Sequence, residues 1–366
     1  MHTTISSRVR AHLRESWPLY PIAVLGGVLF AWLNVPLPWM IGALVFTTAA
    51  KLWGIGGGVP VQFRMTGQVI VGTAVGLYFT PDAVAEVLQH FSAMVIVALV
   101  TIAFGGLSVM IMRRFSDLDV RTAYFACIPG GPAEMANMAE RAGAQPAPVA
   151  LTQTLRIAAL VLIIPPAVTW SGIGGVADLG RFAGRVEPFD VVLLVAGAIA
   201  AARLFRLMRI PNPWFLGPVA ASALLTATET AATTMPYSVI AAGQVCLGLS
   251  LGCHFDRAFV QRIRHHLNGI VACTAFLMAA CALLAVIVGK VGDLPIAAMI
   301  LATAPGSLTE MCLTAKALDL SVAMVTAFHL VRLFIIVPLT PLIFQLGSRW
   351  SPVFAEPRPG SIEDSR

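Results

Sequence analysis

The segment Pro129-Gly130-Gly131-Pro132-Ala133-Glu134-Met135 returns 176 positions later as Pro305-Gly306-Ser307-Leu308-Thr309-Glu310-Met311. Each copy sits inside an otherwise apolar run, near 122–139 and 295–315. Proline removes a backbone donor and glycine weakens a helix, so each copy reads as a break in a helical segment. Each break is followed by a glutamate near the start of the next half-helix. Irregular backbone at membrane depth is tolerated only where it is buried in protein or lines a cavity. Two such breaks in corresponding positions point to a binding site.

The repetition extends outward from the breaks. Val35-Pro36-Leu37-Pro38-Trp39 with Gly42 recurs as Ile210-Pro211-Asn212-Pro213-Trp214 with Gly217, at an offset of 175. Gly67-Gln68-Val69 with Gly72 and Gly76 recurs as Gly243-Gln244-Val245 with Gly248 and Gly252, at an offset of 176. Arg156 and Pro165 recur as Arg332 and Pro341. The chain is therefore an internal duplication.

Composition sets the solvent. Of the 366 residues, 58% are hydrophobic and 11% are charged, and mean hydropathy is +0.83. A soluble domain carries roughly 25% charged residues, so a soluble enzyme, a nucleic-acid binder and a disordered chain are excluded. The net charge of +6 falls between apolar runs and fits the cytoplasmic-loop bias of membrane proteins. Phe91–Met112 and Leu267–Gly289 carry no charge, and neither does 16–50, which Asn34-Val35-Pro36 splits into a hairpin. All six cysteines lie in apolar segments without a paired spacing and read as small buried hydrophobes.

Twelve segments are expected in two sets of six, near 18–33, 37–53, 63–80, 91–112, 122–139 and 146–170, then 188–203, 213–229, 236–255, 267–289, 295–315 and 321–347. This organises the chain as an N-terminal tail 1–15, a membrane repeat 16–170, a linker 171–190, a second repeat 191–347 and a disordered tail 348–366. Basic and non-basic loops exchange places between the halves. Lys51 and Arg64 follow segment two, whereas Arg203, Arg206 and Arg209 precede segment eight and Arg257, Arg262 and Arg264 follow segment nine. Equivalent loops are thus expected on opposite sides, which requires an odd number of crossings per half. The expected fold is an all-α polytopic membrane protein. It has two inverted repeats of five transmembrane helices, each with one re-entrant or broken segment, and both termini are cytoplasmic.

Glu134, Arg156, Glu310 and Arg332 are charges inside apolar segments, mates two by two. An unpaired charge at the bilayer centre costs at least ~2.5–3.5 kcal/mol, so they are expected to pair or to face water. One reading makes them structural Glu–Arg bridges. The other gives them substrate or proton binding, and the two are compatible. The expected substrate-binding set is Gly130, Gly131, Glu134, Arg156, Gly306, Ser307, Glu310 and Arg332, joined by Gln68 and Gln244. Asn137 and Thr309 are further cavity candidates. His329, three residues before Arg332, is a proton-relay candidate. The seven histidines offer no zinc-type spacing and no ATP-binding motif is present, so no metal and no cofactor are expected.

Read together, the duplicated Pro-x-Pro-Trp, Gly-Gln-x-x-x-Gly and Pro-Gly-x-x-x-Glu-Met elements resemble the bacterial AbrB-duplication membrane family over about residues 16–347. Its members carry two labels, transcriptional regulator and ammonia monooxygenase. The resemblance implies a link to regulation of gene expression and, under the second label, a metal site. The paired breaks are also similar in architecture to inverted-repeat anion and sodium transporters. The leading expectation is a secondary transporter in the bacterial inner membrane and not an enzyme. Its partners would be the lipid bilayer, a small anionic or zwitterionic metabolite, and a proton or sodium ion. No nucleic acid is expected, and a homodimer fits the architecture. The alternatives are a membrane regulator without transport and a monooxygenase-like membrane enzyme.

Overall fold

The computed structural model describes residues 16–172, 188–228 and 234–350. The expected tail 1–15, the linker from 173 to 187 and the tail from 351 onward lie outside the described residues. Everything described is helix, turn or loop, in sixteen helices.

The helices fall into two sets of eight. The first comprises α1 (Leu19–Trp32), α2 (Pro38–Trp53), α3 (Val61–Gly76), α4 (Pro81–Gln89), α5 (Phe91–Phe115), α6 (Val120–Cys127), α7 (Pro132–Arg141) and α8 (Pro146–Trp170). The second comprises α9 (Pro188–Leu207), α10 (Pro213–Ala227), α11 (Tyr237–Gly252), α12 (Arg257–Ile263), α13 (Leu267–Gly292), α14 (Ile296–Thr303), α15 (Leu308–Ala317) and α16 (Val322–Trp350). From α3 and α11 onward, equivalent helices begin 176 residues apart. The duplication seen in the sequence is thus repeated element by element.

Two short helices, α4 and α12, occupy stretches between the apolar segments. Each has a side-chain cap. Thr80 accepts from the Ala83 N–H at 3.3 Å, and Asp256 accepts from the Phe259 N–H at 2.7 Å. Ser, Thr, Asp and Asn are favoured there because they satisfy one of the free N–H groups of a helix start. The signal was present in Thr80-Pro81 and in Asp256. At the other end, α16 continues to Trp350, beyond the boundary at 348 expected for the tail.

Among the described residues four helices are long and apolar enough to cross a membrane, α5, α8, α13 and α16, with α11 and α12 together, bent by 57°, as a fifth. Two further apolar helices are shorter, α1 with 14 residues and α10 with 15. At 1.5 Å per residue such a helix spans about 21 Å, less than the ~30 Å hydrocarbon core. Trp17, Trp32, Trp53 and Trp170 are exposed at or beside helix ends, where amphipathic rings sit at a membrane–water interface.

Small residues bring the two halves together. A Cβ placed on Gly67 would lie 2.9 Å from the Gly243 carbonyl oxygen, so α3 and α11 cross at mated glycines. Further along, a side chain on Gly72 would strike the Phe215 carbonyl of α10, and one on Gly248 the Met40 carbonyl of α2. Gly76 meets Val219 and Ser222, and Gly252 meets Leu44 and Thr47. Each Gly-rich helix therefore packs against the second helix of the other half. The Arg257 Nε–H donates to the Leu52 carbonyl at 2.8 Å, placing the start of α12 beside the end of α2. In both hairpins the residue before the second helix is left-handed, Leu37 at φ 52° and Asn212 at φ 50°.

Within one hairpin, Gly42 of α2 faces the backbone of Gly26 of α1, and a Cβ there would collide with it. Gly106 on α5 faces open space. Gly42→Ala is expected to lose about 1–3 kcal/mol through overpacking, while Gly106→Ala is neutral or gains up to about 1 kcal/mol. Thermal unfolding of detergent-purified variants measures both, and equal shifts would contradict the packing.

Candidate functional site

The breaks leave two helix C-termini, of α6 and α14, deep in the protein with carbonyls that no helical N–H reaches. The chain supplies side chains for them. From α8, the Gln153 Nε2 donates to the carbonyls of Phe125 (3.1 Å), Ala126 (3.3 Å) and Ile128 (2.7 Å). Arg156, one turn on, donates from Nη2 to Ala126 at 2.7 Å and from Nη1 to Gln153 Oε1 at 3.2 Å. In the second half, Arg332 of α16 donates to the carbonyls of Ala304 and, at 2.8 Å, Gly306. The His329 Nε2 lies 2.9 Å from the Leu301 carbonyl, an acceptor that places the ring proton on that nitrogen. Gln153 and His329 are repeat mates, and so are their acceptors Phe125 and Leu301. A cation at a helix C-terminus also meets the negative end of the helix dipole.

Of the two readings of these charges, the structural Glu–Arg bridges do not form. Among the described residues no ion pair joins Glu134 or Glu310 to Arg156 or Arg332. The reason is polarity: the arginines serve the C-terminal ends before each break, and the glutamates sit in the first turns after it. Arg156 is completely buried and lines neither of the two polar cavities.

The two breaks converge. Pro129, Gly130, Gly131, Pro132 and Glu134 of one and Gly306, Ser307 and Leu308 of the other line a single cavity of roughly 80 Å³, closed by Arg64, Asn212, His329 and Arg332. The N-terminal ends of α7 and α15 both open onto it, and free N–H groups there attract anions. Glu134 folds back over its own helix start, and a side chain at Gly131 would collide with its carboxylate. Glu310 does not follow its mate. It is buried, and with Arg64, Pro132, Thr154, Ile157 and His254 it lines a second cavity of roughly 40 Å³. Two larger cavities, of roughly 230 and 560 Å³, are walled almost entirely by apolar side chains.

Of the expected set, Gly130, Gly131, Glu134, Gly306, Ser307, Arg332 and His329 therefore share one cavity. Gln68 instead donates to the Asn212 side chain at 3.0 Å. Gln244 is buried between helices with its Oε1 unpartnered. Asn137 is exposed and Thr309 buried, and neither lines the two polar cavities. The sequence reading had counted Arg64 only as a loop charge. It lines both cavities, is half-buried, and makes no hydrogen bond or ion pair among the described residues. Its signal was its place on the Gly-rich helix, where its mate is the apolar Ile240. Gln153 was missed because it does not match its mate in type.

The family model described as "Transition state regulatory protein AbrB" matches residues 39–347. The chain belongs to the AbrB family. It is 25% identical to the "Uncharacterized protein YhjN" of Bacillus subtilis (strain 168), covering 91% of this chain and 93% of that one. It is also 25% identical to the "Putative regulator AbrB" of Escherichia coli (strain K12), over 90% of this chain and 96% of that one. Long apolar helices and family membership together describe a helical membrane-type protein of the AbrB family. A monooxygenase metal centre would need a donor cluster. Among the described residues no group of three or more His, Cys, Asp and Glu is placed to hold a metal ion, so the site residues do not fit one.

Asn212 gives Gln68 its partner beside the cavity. Asn212→Leu, the residue its mate Leu37 carries, is expected to leave the Gln68 amide unpaired and to cost about 1–3 kcal/mol. The paired change Asn212→Leu with Gln68→Leu should recover most of that loss. Thermal unfolding of the two variants measures it, and an unchanged single variant would contradict the bond's role.

Proposed function

We propose that this AbrB-family protein is a multi-pass secondary transporter of the bacterial inner membrane, moving a small anionic or zwitterionic metabolite coupled to protons or sodium, and that it is not an enzyme. One observation carries the reading. Two broken segments, one from each half, meet at one polar cavity with two helix N-termini and two guanidinium groups around it. Such a place suits a carboxylate or phosphate.

Inverted repeats, ten crossings and cytoplasmic termini belong to this reading. Their support is the packing of equivalent helices. The end of α11 and the start of α12 lie against the end of α2, while the end of α3 lies against the later part of α10. Under this reading equivalent ends lie at opposite sides.

Alternating access needs two states, and mated segments in unequal surroundings support them. Lys316 at the end of α15 stands 5.0 Å from the centre of the Tyr78 ring beyond α3. The mates of this pair are Glu140 and His254. They are not engaged with each other: Glu140 is exposed and the His254 Nδ1 lies 2.8 Å from the Ser250 carbonyl. Exchange of roles between the halves brings Glu140 to His254.

The test is uptake by liposomes holding the purified protein, screened over organic acids and amino acids under proton and sodium gradients. Accumulation is expected, with Arg64→Gln raising KM at least about tenfold, the equivalent of ~1.4 kcal/mol. Glu140→Cys with His254→Cys is expected to form a disulfide on oxidation and to stop uptake reversibly. Absence of any uptake, with no cross-link in any condition, would sink the reading.

A second reading has one observation behind it. Arg257, Arg262, Arg264 and His265 form an exposed basic face around α12, and one relative carries a regulator's name. A regulator would lose its effect on gene expression when that face is neutralised and keep it when Arg64 and Arg332 are changed. A transporter shows the reverse.

A further inference from the structure

The two glutamates are mates in sequence but divide between two cavities. Glu134 faces the cavity where the breaks meet, and Glu310 the smaller one beside it. Glu310 is 7% exposed and its Oε2 has no hydrogen-bond partner. Arg64 lines both cavities, yet it forms no ion pair with either carboxylate. A cation between two acidic sites, committed to neither, is the arrangement from which coupling can be built.

We propose that Glu310 is the coupling site, that the coupling ion is a proton, and that Arg64 serves the Glu310 carboxylate in one step and the substrate anion in the next. This rests on the transport reading above and makes the protein a proton–anion symporter. The side chains of the walls favour a proton over sodium. A hard cation collects several oxygen ligands. Among side-chain oxygens this cavity offers one carboxylate and the Thr154 hydroxyl. Its other walls are apolar or carry the nitrogens of Arg64 and His254. A proton needs a single acceptor atom and little room, and roughly 40 Å³ suffices.

The balance is simple. A proton entering the small cavity adds to a Glu310 carboxylate oxygen, an O–H bond forms, and the negative charge there disappears. Arg64 then has no acidic partner on that side and is free for an anion in the larger cavity. One positive charge thus enters with each negative charge bound. Release of the anion returns Arg64 to Glu310, whose proton leaves as the carboxylate re-forms. The charged and titratable groups facing Glu310 are Arg64 of α3 and His254 beyond α11, with Cys312 on its own helix within electrostatic reach. Of these only Arg64 and His254 line its cavity.

The experiment uses the purified full chain, first by infrared difference spectroscopy as pH is lowered in sodium-free buffer. A protonated-carboxyl band is expected that disappears in Glu310→Gln, persists in Glu134→Gln and is unmoved by added sodium chloride. Should Glu310→Gln fail to fold, Glu310→Asp keeps the carboxyl and is expected to displace the same band. In liposomes, uptake of the organic acid found by the screen is expected to carry protons inward and to lose its pH dependence in Glu310→Gln. A band that ignores both substitutions at 310 overturns the proposal. So does uptake that follows sodium alone, which leaves transport itself standing. A titrating Glu310 without uptake of any acid removes the transport reading and the coupling role with it.

Discussion

A helix that ends where no water can reach must have its last carbonyls met by the protein itself, and the rest of this fold is arranged around that demand. Backbone groups left bare in a hydrocarbon setting cost several kcal/mol each, so a broken segment survives only with partners in place. Here α8 and α16 each present a one-turn pair of side chains, Gln153 with Arg156 and His329 with Arg332, to the end of the preceding half-helix. With the C-terminal carbonyls held, the breaks can remain open on their other side, and the N–H groups that start α7 and α15 face a cavity instead of a partner strand or helix. The long helices are the frame, and the arginines are the fasteners.

This reframes what a charge inside an apolar segment means. Glu134, Arg156, Glu310 and Arg332 invite pairing because opposite charges in a low dielectric attract strongly. Yet each break already has a polarity of its own. Its C-terminal end attracts guanidinium and its N-terminal end attracts carboxylate, and the four residues sort by that rule. The arginine of the second half differs from its mate in one respect. Arg332 reaches the cavity wall while Arg156 is sealed in, so the same fastening residue in one half is also within reach of a ligand.

Much of this was legible from residue order. The duplication, the positions of both breaks and the meeting of Pro129–Glu134 with Gly306–Leu308 follow from repeats of uncommon residues in apolar surroundings. The glycines of α3 and α11 recur at the same spacing in both halves, and they pack at the seam between them. The glutamate partners were not readable, because linear spacing says nothing about which end of a break a side chain will face. Gln153 was hidden because its mate is a histidine, and identity across the repeats was the filter. Arg64 was hidden because charge counting assigned it to a loop, whereas Val61 already opens the helix that carries it. The short helices α4 and α12 are marked in the sequence by their caps, Thr80 and Asp256, and not by hydropathy.

The glycine ladders have a consequence for how such a chain can change over generations. Because Gly72 and Gly76 fit the second hairpin, and Gly248 and Gly252 the first, neither half owns a complete interior. A bulky residue acquired in one is felt as a misfit in the other, so the shared seam is held in common while single positions beside it can differ. That division lets a histidine stand at 329 where a glutamine stands at 153, and an arginine at 64 where an isoleucine stands at 240. Kinship is kept at the join, and novelty accumulates beside the chamber.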